Sequence, residues 1–126
     1  MILRTGIDLV EIDRLENLSE LIRTRFEQRI YTPQEIEDSG GNMASLAGRF
    51  AVKEAVSKAL GSGIGEVSWQ EIEVVRAGSG EPNLVLHGNA RRLAEQAGLT
   101  SWSISISHTK THAVAMAVAL GEGPGL

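Results

Sequence analysis

The stretch ASLAGRFAVKEAVSKALG, residues 44–61, decides the architecture. Leu46, Phe50, Val56 and Leu60, with the alanines between them, form a wide apolar stripe at helical spacing. Arg49, Lys53, Glu54, Ser57 and Lys58 fall off that stripe. Gly61 stands where a left-handed cap ends a helix. The spacing therefore predicts one long helix over 44–60 that offers a broad surface to a sheet.

Reading upstream, Ser39-Gly40-Gly41-Asn42 is a loop. Before it, Thr32-Pro33-Gln34-Glu35 carries three start signals of a short helix: Thr at the cap, Pro at the first position, Glu at the third. Residues 23–30 read as another short helix. Asp13 with Glu16 forms a second capping pair, and Leu15, Leu18 and Ile22 place a helix after it on one stripe. Residues 1–10 read as a strand, in which Gly6 marks a close backbone approach.

Downstream, 71–76 and 83–86 are strands joined by the turn Ala77-Gly78-Ser79-Gly80-Glu81-Pro82. Residues 89–97 form a short helix stopped by Gly98. Residues 102–107 alternate, with Trp102, Ile104 and Ile106 on one face. In 113–120, Val114, Met116, Val118 and Leu120 share one face and alanines fill the other, which lets a helix pack close. The sum is an α+β domain, a mainly antiparallel sheet packed against a long helix. One domain is expected over 1–120, followed by a frayed tail over 121–126.

Composition narrows the function. Cysteine is absent, which excludes disulfides, thiolate metal sites and thiol nucleophiles and fits a cytoplasmic setting. No apolar run is long enough to cross a bilayer, and the first residues do not read as a signal peptide. A formal net charge of −4 argues against general nucleic-acid binding, so any anion site must rest on local basic groups. Aromatics supply only 4% of residues, and a small domain so built gains core by self-association.

Chemistry has a few places to sit. Asp8 interrupts the apolar run Ile7-Asp8-Leu9-Val10. In isolation it reads as a solvated strand-end carboxylate or as an oxygen ligand for a hard cation such as Mg²⁺. Glu54 reads as a surface partner of Lys58 one turn on, or as the lone acid on a cationic face made by Arg49, Lys53 and Lys58. Such a face suits a polyphosphate held with a metal. The 61–65 glycines follow a helix and lack a Gly-Lys-Ser/Thr signature, so they are not a P-loop. Ser107-His108-Thr109-Lys110-Thr111-His112 has the composition of a phosphate cradle, with no nucleophile elbow beside it.

Taken together, GIDLVEIDR, RFEQRIYTPQE, LAGRFAVKEAVSKALGSGIG and SISISHTKTHAVAMAV resemble, in order and spacing, the holo-acyl-carrier-protein synthases, a branch of the phosphopantetheinyl transferases. The resemblance covers the chain from Met1 to about Leu120. It implies transfer of 4′-phosphopantetheine from coenzyme A to a serine of an acyl carrier protein, with 3′,5′-ADP released, in the service of lipid biosynthesis. It implies Asp8 and Glu54 as Mg²⁺ ligands and Lys58 as a catalytic contact to the pyrophosphate. Arg49, His108 and Thr109 are implied at the 3′-phosphate and adenosine end. Arg14, Arg23, Arg25 and Phe26 are implied as the docking surface for an acidic carrier. A homotrimer with sites between subunits is implied as well. The sequence departs from the family at 39–43, a short neutral loop where members often carry a longer basic one.

Overall fold

The structure, a computed structural model, describes residues 1–125; Leu126, in the expected tail, lies outside the described residues. The elements run β1 (Ile2–Glu11), α1 (Ile12–Glu16), α2 (Glu20–Ile30), α3 (Pro33–Ser39), α4 (Met43–Leu60), β2 (Ile72–Arg76), β3 (Pro82–Leu86), α5 (Gly88–Gln96), β4 (Ser101–His108) and β5 (His112–Gly121). A single 3₁₀ turn, Trp69–Glu71, leads into β2. Strands β1, β5 and β4 form one antiparallel sheet in that spatial order, and β2 pairs with β3 in a separate hairpin.

Helix α4 lies across the inner face of the three-stranded sheet. Period-two alternation aims Ala113, Ala115, Ala117 and Ala119 of β5 at the helix, all essentially solvent-free. Their single methyl groups let the layers come close. On β1 the same face carries Gly6, Asp8 and Val10. The approach is closest at Gly6, where an added Cβ would stand 1.8 Å from the Ala55 carbonyl oxygen. Gly48 meets the same sheet more softly, since a Cβ there would touch the Ile106 side chain at 2.7 Å.

The far side of α4 is also covered, so the helix is buried on more of its circumference than its apolar stripe suggests. Arg49, Lys53 and Ser57, which fall off that stripe in the sequence, are 6%, 0% and 1% exposed. The expected cationic face is therefore corrected: Lys53 leaves it. Its ammonium sits 2.7 Å from Glu35 Oε1 and donates to the carbonyls of Trp69 and Ile72. Glu35 also accepts from the Thr32 N–H, closing the capping box of α3, and from the Val74 N–H. One buried ion pair thus ties α4, α3 and β2 together. Burial is the main cause that lowers the Lys53 proton affinity, and Glu35 opposes it. Beside this pair, every aromatic ring except Trp102 joins one cluster: Tyr31, Phe26, Phe50 and Trp69, with neighbouring centroids 5.0–6.4 Å apart.

Two local expectations change. Asp13 does not cap a helix; Glu11 occupies the cap position of α1, with no side-chain cap bond. Strand β1 continues until Glu11 pairs with His112, and the Ile12 N–H donates to the Thr111 carbonyl, so the chain enters α1 directly from the sheet. The stripe of Leu15, Leu18 and Ile22 is also split, because α1 ends at Glu16 and α2 starts at Glu20. By contrast, the Thr32 cap and the left-handed Gly61 (φ 76°) stand as read. Strand β5 extends to Gly121, and the Gly123 N–H donates to the Gly98 carbonyl.

These contacts set two stability predictions. Gly6→Ala drives a methyl group into a backbone carbonyl and is expected to cost about 3 kcal/mol. Gly48→Ala meets the stiff β-branched Ile106 side chain, which must shift, but gains helix propensity, so it should cost less than Gly6→Ala, about 1–2 kcal/mol. Urea midpoints of the two variants check the order. Lys53→Met and Glu35→Gln each strand a buried partner and should each cost about 3–5 kcal/mol, with the double variant less damaging than the sum.

Candidate active site

Asp8 is the only acidic residue on the helix-facing side of β1, and the close approach at Gly6 carries it to α4. Glu54, one residue before Ala55, looks into the same pocket. Both carboxylates are part-buried there, beside Phe50, Phe26, Leu15, Leu18 and Ile22. Burial raises the proton affinity of Glu54, the charge of Asp8 raises it further, and Lys58 opposes both.

Lys58 does not form the simple one-turn pair with Glu54. Its Nζ reaches across to β1, 3.2 Å from Asp8 Oδ1 and 2.8 Å from the Ile7 carbonyl oxygen. The ammonium has three donors, so two of them hold the strand and one is left for a ligand.

Two carboxylates lining one half-dry pocket and feeling each other's charge suit a hard divalent cation. Mg²⁺ is commonly held by one or two carboxylates, with substrate phosphates and water completing its octahedron. Among the described residues no group of three or more acidic, His or Cys side chains is arranged to hold a metal by itself. The donor set therefore fits a metal that arrives with, or is completed by, a phosphate ligand.

Arg49 and His108 meet in a second pocket, lined also by Asn42, Ser45 and Arg76 and by the β2–β3 turn. Arg49 donates to Ser45 Oγ, and its Nε is buried with no acceptor among the described residues. Burial is the largest cause lowering its proton affinity; Arg76 adds to the effect, while Glu35, Asp38 and Tyr31 oppose it. Thr109 lies just outside, in a hollow with His108, Asn42 and Lys110. Thr109 Oγ1 accepts from the Thr111 and His112 N–H groups and shapes the β4–β5 turn.

The sequence-predicted residues thus gather in two pockets of one chain, Asp8 and Glu54 in one and Arg49 with His108 in the other. The docking candidates lie next to the first. Arg14 is highly exposed, 3.7 Å from Glu11, and lines the carboxylate pocket. Arg23 is half-buried, 3.3 Å from Glu27, and its guanidinium contacts the Met43 sulfur. Arg25 is exposed; Phe26 is turned mostly into the aromatic cluster. Leu21 and Ile22, exposed on α2, were missed as surface features, since burial cannot be read from a short helix with a weak apolar pattern. Arg76 was missed because nothing nearby in sequence links the end of β2 to α4.

Comparison with known proteins shows the family. Residues 4–118 match the family model of the 4′-phosphopantetheinyl transferase superfamily. The holo-[acyl-carrier-protein] synthase of Moorella thermoacetica is 47% identical over 123 residues, covering 95% of this chain and 94% of its own. The Alkaliphilus metalliredigens enzyme of the same name is 44% identical, covering 94% and 99%. Among solved structures, the Helicobacter pylori holo-[acyl-carrier-protein] synthase in complex with coenzyme A superposes with a TM-score of 0.83 at 35% identity, covering 92% of this chain and 99% of that one. The Bacillus anthracis synthase in complex with coenzyme A (3′,5′-ADP) gives 0.73 at 35%, covering 97% and 96%. A chain with this sheet, this long helix and these relatives belongs to the 4′-phosphopantetheinyl transferase superfamily, within its holo-[acyl-carrier-protein] synthase branch.

Proposed function

We propose that this chain transfers 4′-phosphopantetheine from coenzyme A to a serine of an apo acyl carrier protein, releases 3′,5′-ADP, and depends on Mg²⁺. The observation that carries the reading is the shared pocket of Asp8 and Glu54, with Lys58 bonded to Asp8. Asp8 and Glu54 would hold the metal, which when bound supplies charge neutralisation at the diphosphate. Lys58 would present its remaining proton to the same oxygens, where negative charge grows during phosphoryl transfer. The serine oxygen forms a bond to the β-phosphorus, and the bond to the bridging oxygen of 3′,5′-ADP breaks. The serine proton needs an acceptor, and Glu54, with its raised proton affinity, suits that task when it is not fully committed to the cation.

Arg49 and His108, with Thr109 beside them, would receive the 3′-phosphate and adenosine end of coenzyme A. Arg14, Arg23 and Arg25 offer positive charge along α1 and α2 to an acidic carrier, with Leu21, Ile22 and the rim of Phe26 as apolar contact. A carrier seated there would bring its serine toward the carboxylate pocket that Arg14 also lines.

The same reading includes a homotrimer with sites between subunits. The outer face of the three-stranded sheet exposes Leu3, Ile7, Leu9, Met116 and Leu120, each 40–66% accessible. Pairing sets them in adjacent rows, Leu3 opposite Leu120 and Ile7 opposite Met116. An apolar sheet face of this kind asks for a cover. A neighbouring copy across it would also let one chain's carboxylate pocket meet another's Arg49–His108 pocket.

Two measurements test the proposal. Asp8→Ala and Glu54→Ala should each slow carrier modification about a hundredfold or more, read by mass spectrometry of the carrier, with the thermal melt retained. Unchanged turnover in either variant, or full activity after chelation of divalent ions, would remove the metal assignment. Sedimentation should find three chains per particle, and Ile7→Glu should dissociate them and abolish transfer together. A monomer at micromolar concentration with full activity would refute the shared site.

A further inference from the structure

We infer that Arg76 is a further anion-holding residue of the Arg49–His108 pocket and that it sets a preference for ligands bearing a phosphomonoester. The inference rests on the reading of that pocket as the coenzyme A 3′-phosphate end and adds to it a residue from a separate hairpin.

Arg76 ends β2, opposite Pro82, where the turn into β3 begins. Its position is fixed twice by the last turn of α3: its N–H donates to Asp38 Oδ2 at 3.3 Å, and its Nη2 donates to the Asp38 carbonyl at 2.7 Å. A guanidinium has five N–H donors. Nε and Nη1 of Arg76 have no protein acceptor among the described residues, and the side chain is exposed at the pocket wall.

Across the pocket Arg49 is in the opposite state, almost wholly buried, with an Nε that no protein group satisfies. A buried donor without an acceptor is costly unless a ligand supplies one. The two guanidinium groups feel each other, since Arg76 is among the causes that lower the Arg49 proton affinity. Asn42 and Ser45, in the first turn of α4, line the same wall, so the positive end of an 18-residue helix points there as well. Glu81 is the sole acid in the lining, exposed in the turn, and Asp38 stands behind Arg76. Two guanidinium groups, a helix end and an imidazole around one space match the charge and the acceptors of a phosphate monoester, which takes several charge-assisted hydrogen bonds at once. A ligand without that phosphate would leave them unanswered.

The test compares coenzyme A with dephospho-coenzyme A, which lacks only the 3′-phosphate, in carrier modification by the full chain. For Arg76→Gln the KM for coenzyme A should rise about tenfold, as for loss of one charge-assisted contact, while the KM for dephospho-coenzyme A stays within about twofold. Arg76→Lys, which keeps charge but not the fork, should fall between. Titration of 3′,5′-ADP and 5′-AMP onto the same variants should give the same split without turnover. An unchanged preference in Arg76→Gln, or an equal loss for both ligands, overturns the inference and reduces Arg76 to a brace for α3. A wild-type chain that neither modifies the carrier nor binds coenzyme A overturns the pocket reading itself, and this inference with it.

Discussion

The contact on which the site depends is the approach of β1 to α4 at Gly6 and the Ala55 carbonyl. Side chains on β1 alternate, so the residue that must be absent at position 6 and the carboxylate at position 8 share one face. On α4, Ala55 and Glu54 are neighbours. Where the backbones nearly touch, the next residues outward are brought together without any long side chain having to bridge a gap. Lys58 then fastens the edge of the contact, since its ammonium holds both the Ile7 carbonyl and Asp8. The packing, the sharing of one pocket by Asp8 and Glu54 and the placement of Lys58 follow from one missing side chain.

Close approach alone does not fix the rotation of α4 about its axis, and Glu54 shares a pocket with Asp8 only if it faces β1. Successive residues of a helix point about 100° apart. Burying Lys53 against Glu35, the Trp69 carbonyl and the Ile72 carbonyl therefore leaves Glu54 turned toward the strand. The pair is satisfied on nearly every lobe, which is the condition for keeping ions in a dry interior. Its partners lie on α3 and at the start of β2, so the same ion pair that orients α4 also sets the hairpin whose first strand ends at Arg76. The two pockets are thus mechanically related through α4, with Glu54 on one flank and Arg49 on another.

What could be read from the sequence was whatever is local. The alternation of alanines with Val114, Met116, Val118 and Leu120 announced both faces of β5, one for the helix and one left bare. Thr32-Pro33-Gln34-Glu35 announced its capping box, and Gly6 its crowding. Asp8, Glu54 and Lys58 stand out only through the family pattern; their positions alone would have left them as surface charges, and the structure brings the two acids to one pocket with Lys58 bonded to Asp8. The burial of Lys53 was not legible, since its partner is 18 positions earlier and a lysine beside a glutamate on a helix looks solvated. The Asp13 cap failed for a similar reason: sheet hydrogen bonds between Glu11 and His112, made with the far end of the chain, overrode a local preference. Nor does any sequence pattern indicate that Arg49 and Glu54, five residues apart, open into different pockets.

That division has an electrostatic logic in a chain whose formal charge is −4. An anionic ligand and an acidic partner must both approach a protein that repels them on average, so attraction has to be concentrated locally. Two groupings of basic side chains stand beside the pockets: Arg49 and Arg76 with the start of α4 at one, Arg14, Arg23 and Arg25 along α1 and α2 at the other. Between these charges the lining changes character. The carboxylate pocket is walled by Leu15, Leu18, Ile22 and Phe50, an apolar lining around the two acids. On the proposed reading, basic groups far from the reacting bond bind ground state and transition state alike, and Asp8, Glu54 and Lys58 are the groups placed where charge would develop. On that reading binding strength and rate rest on different side chains, and the short neutral loop at 39–43 would leave the binding to Arg49 and the groups around it, apart from the carboxylates that face β1.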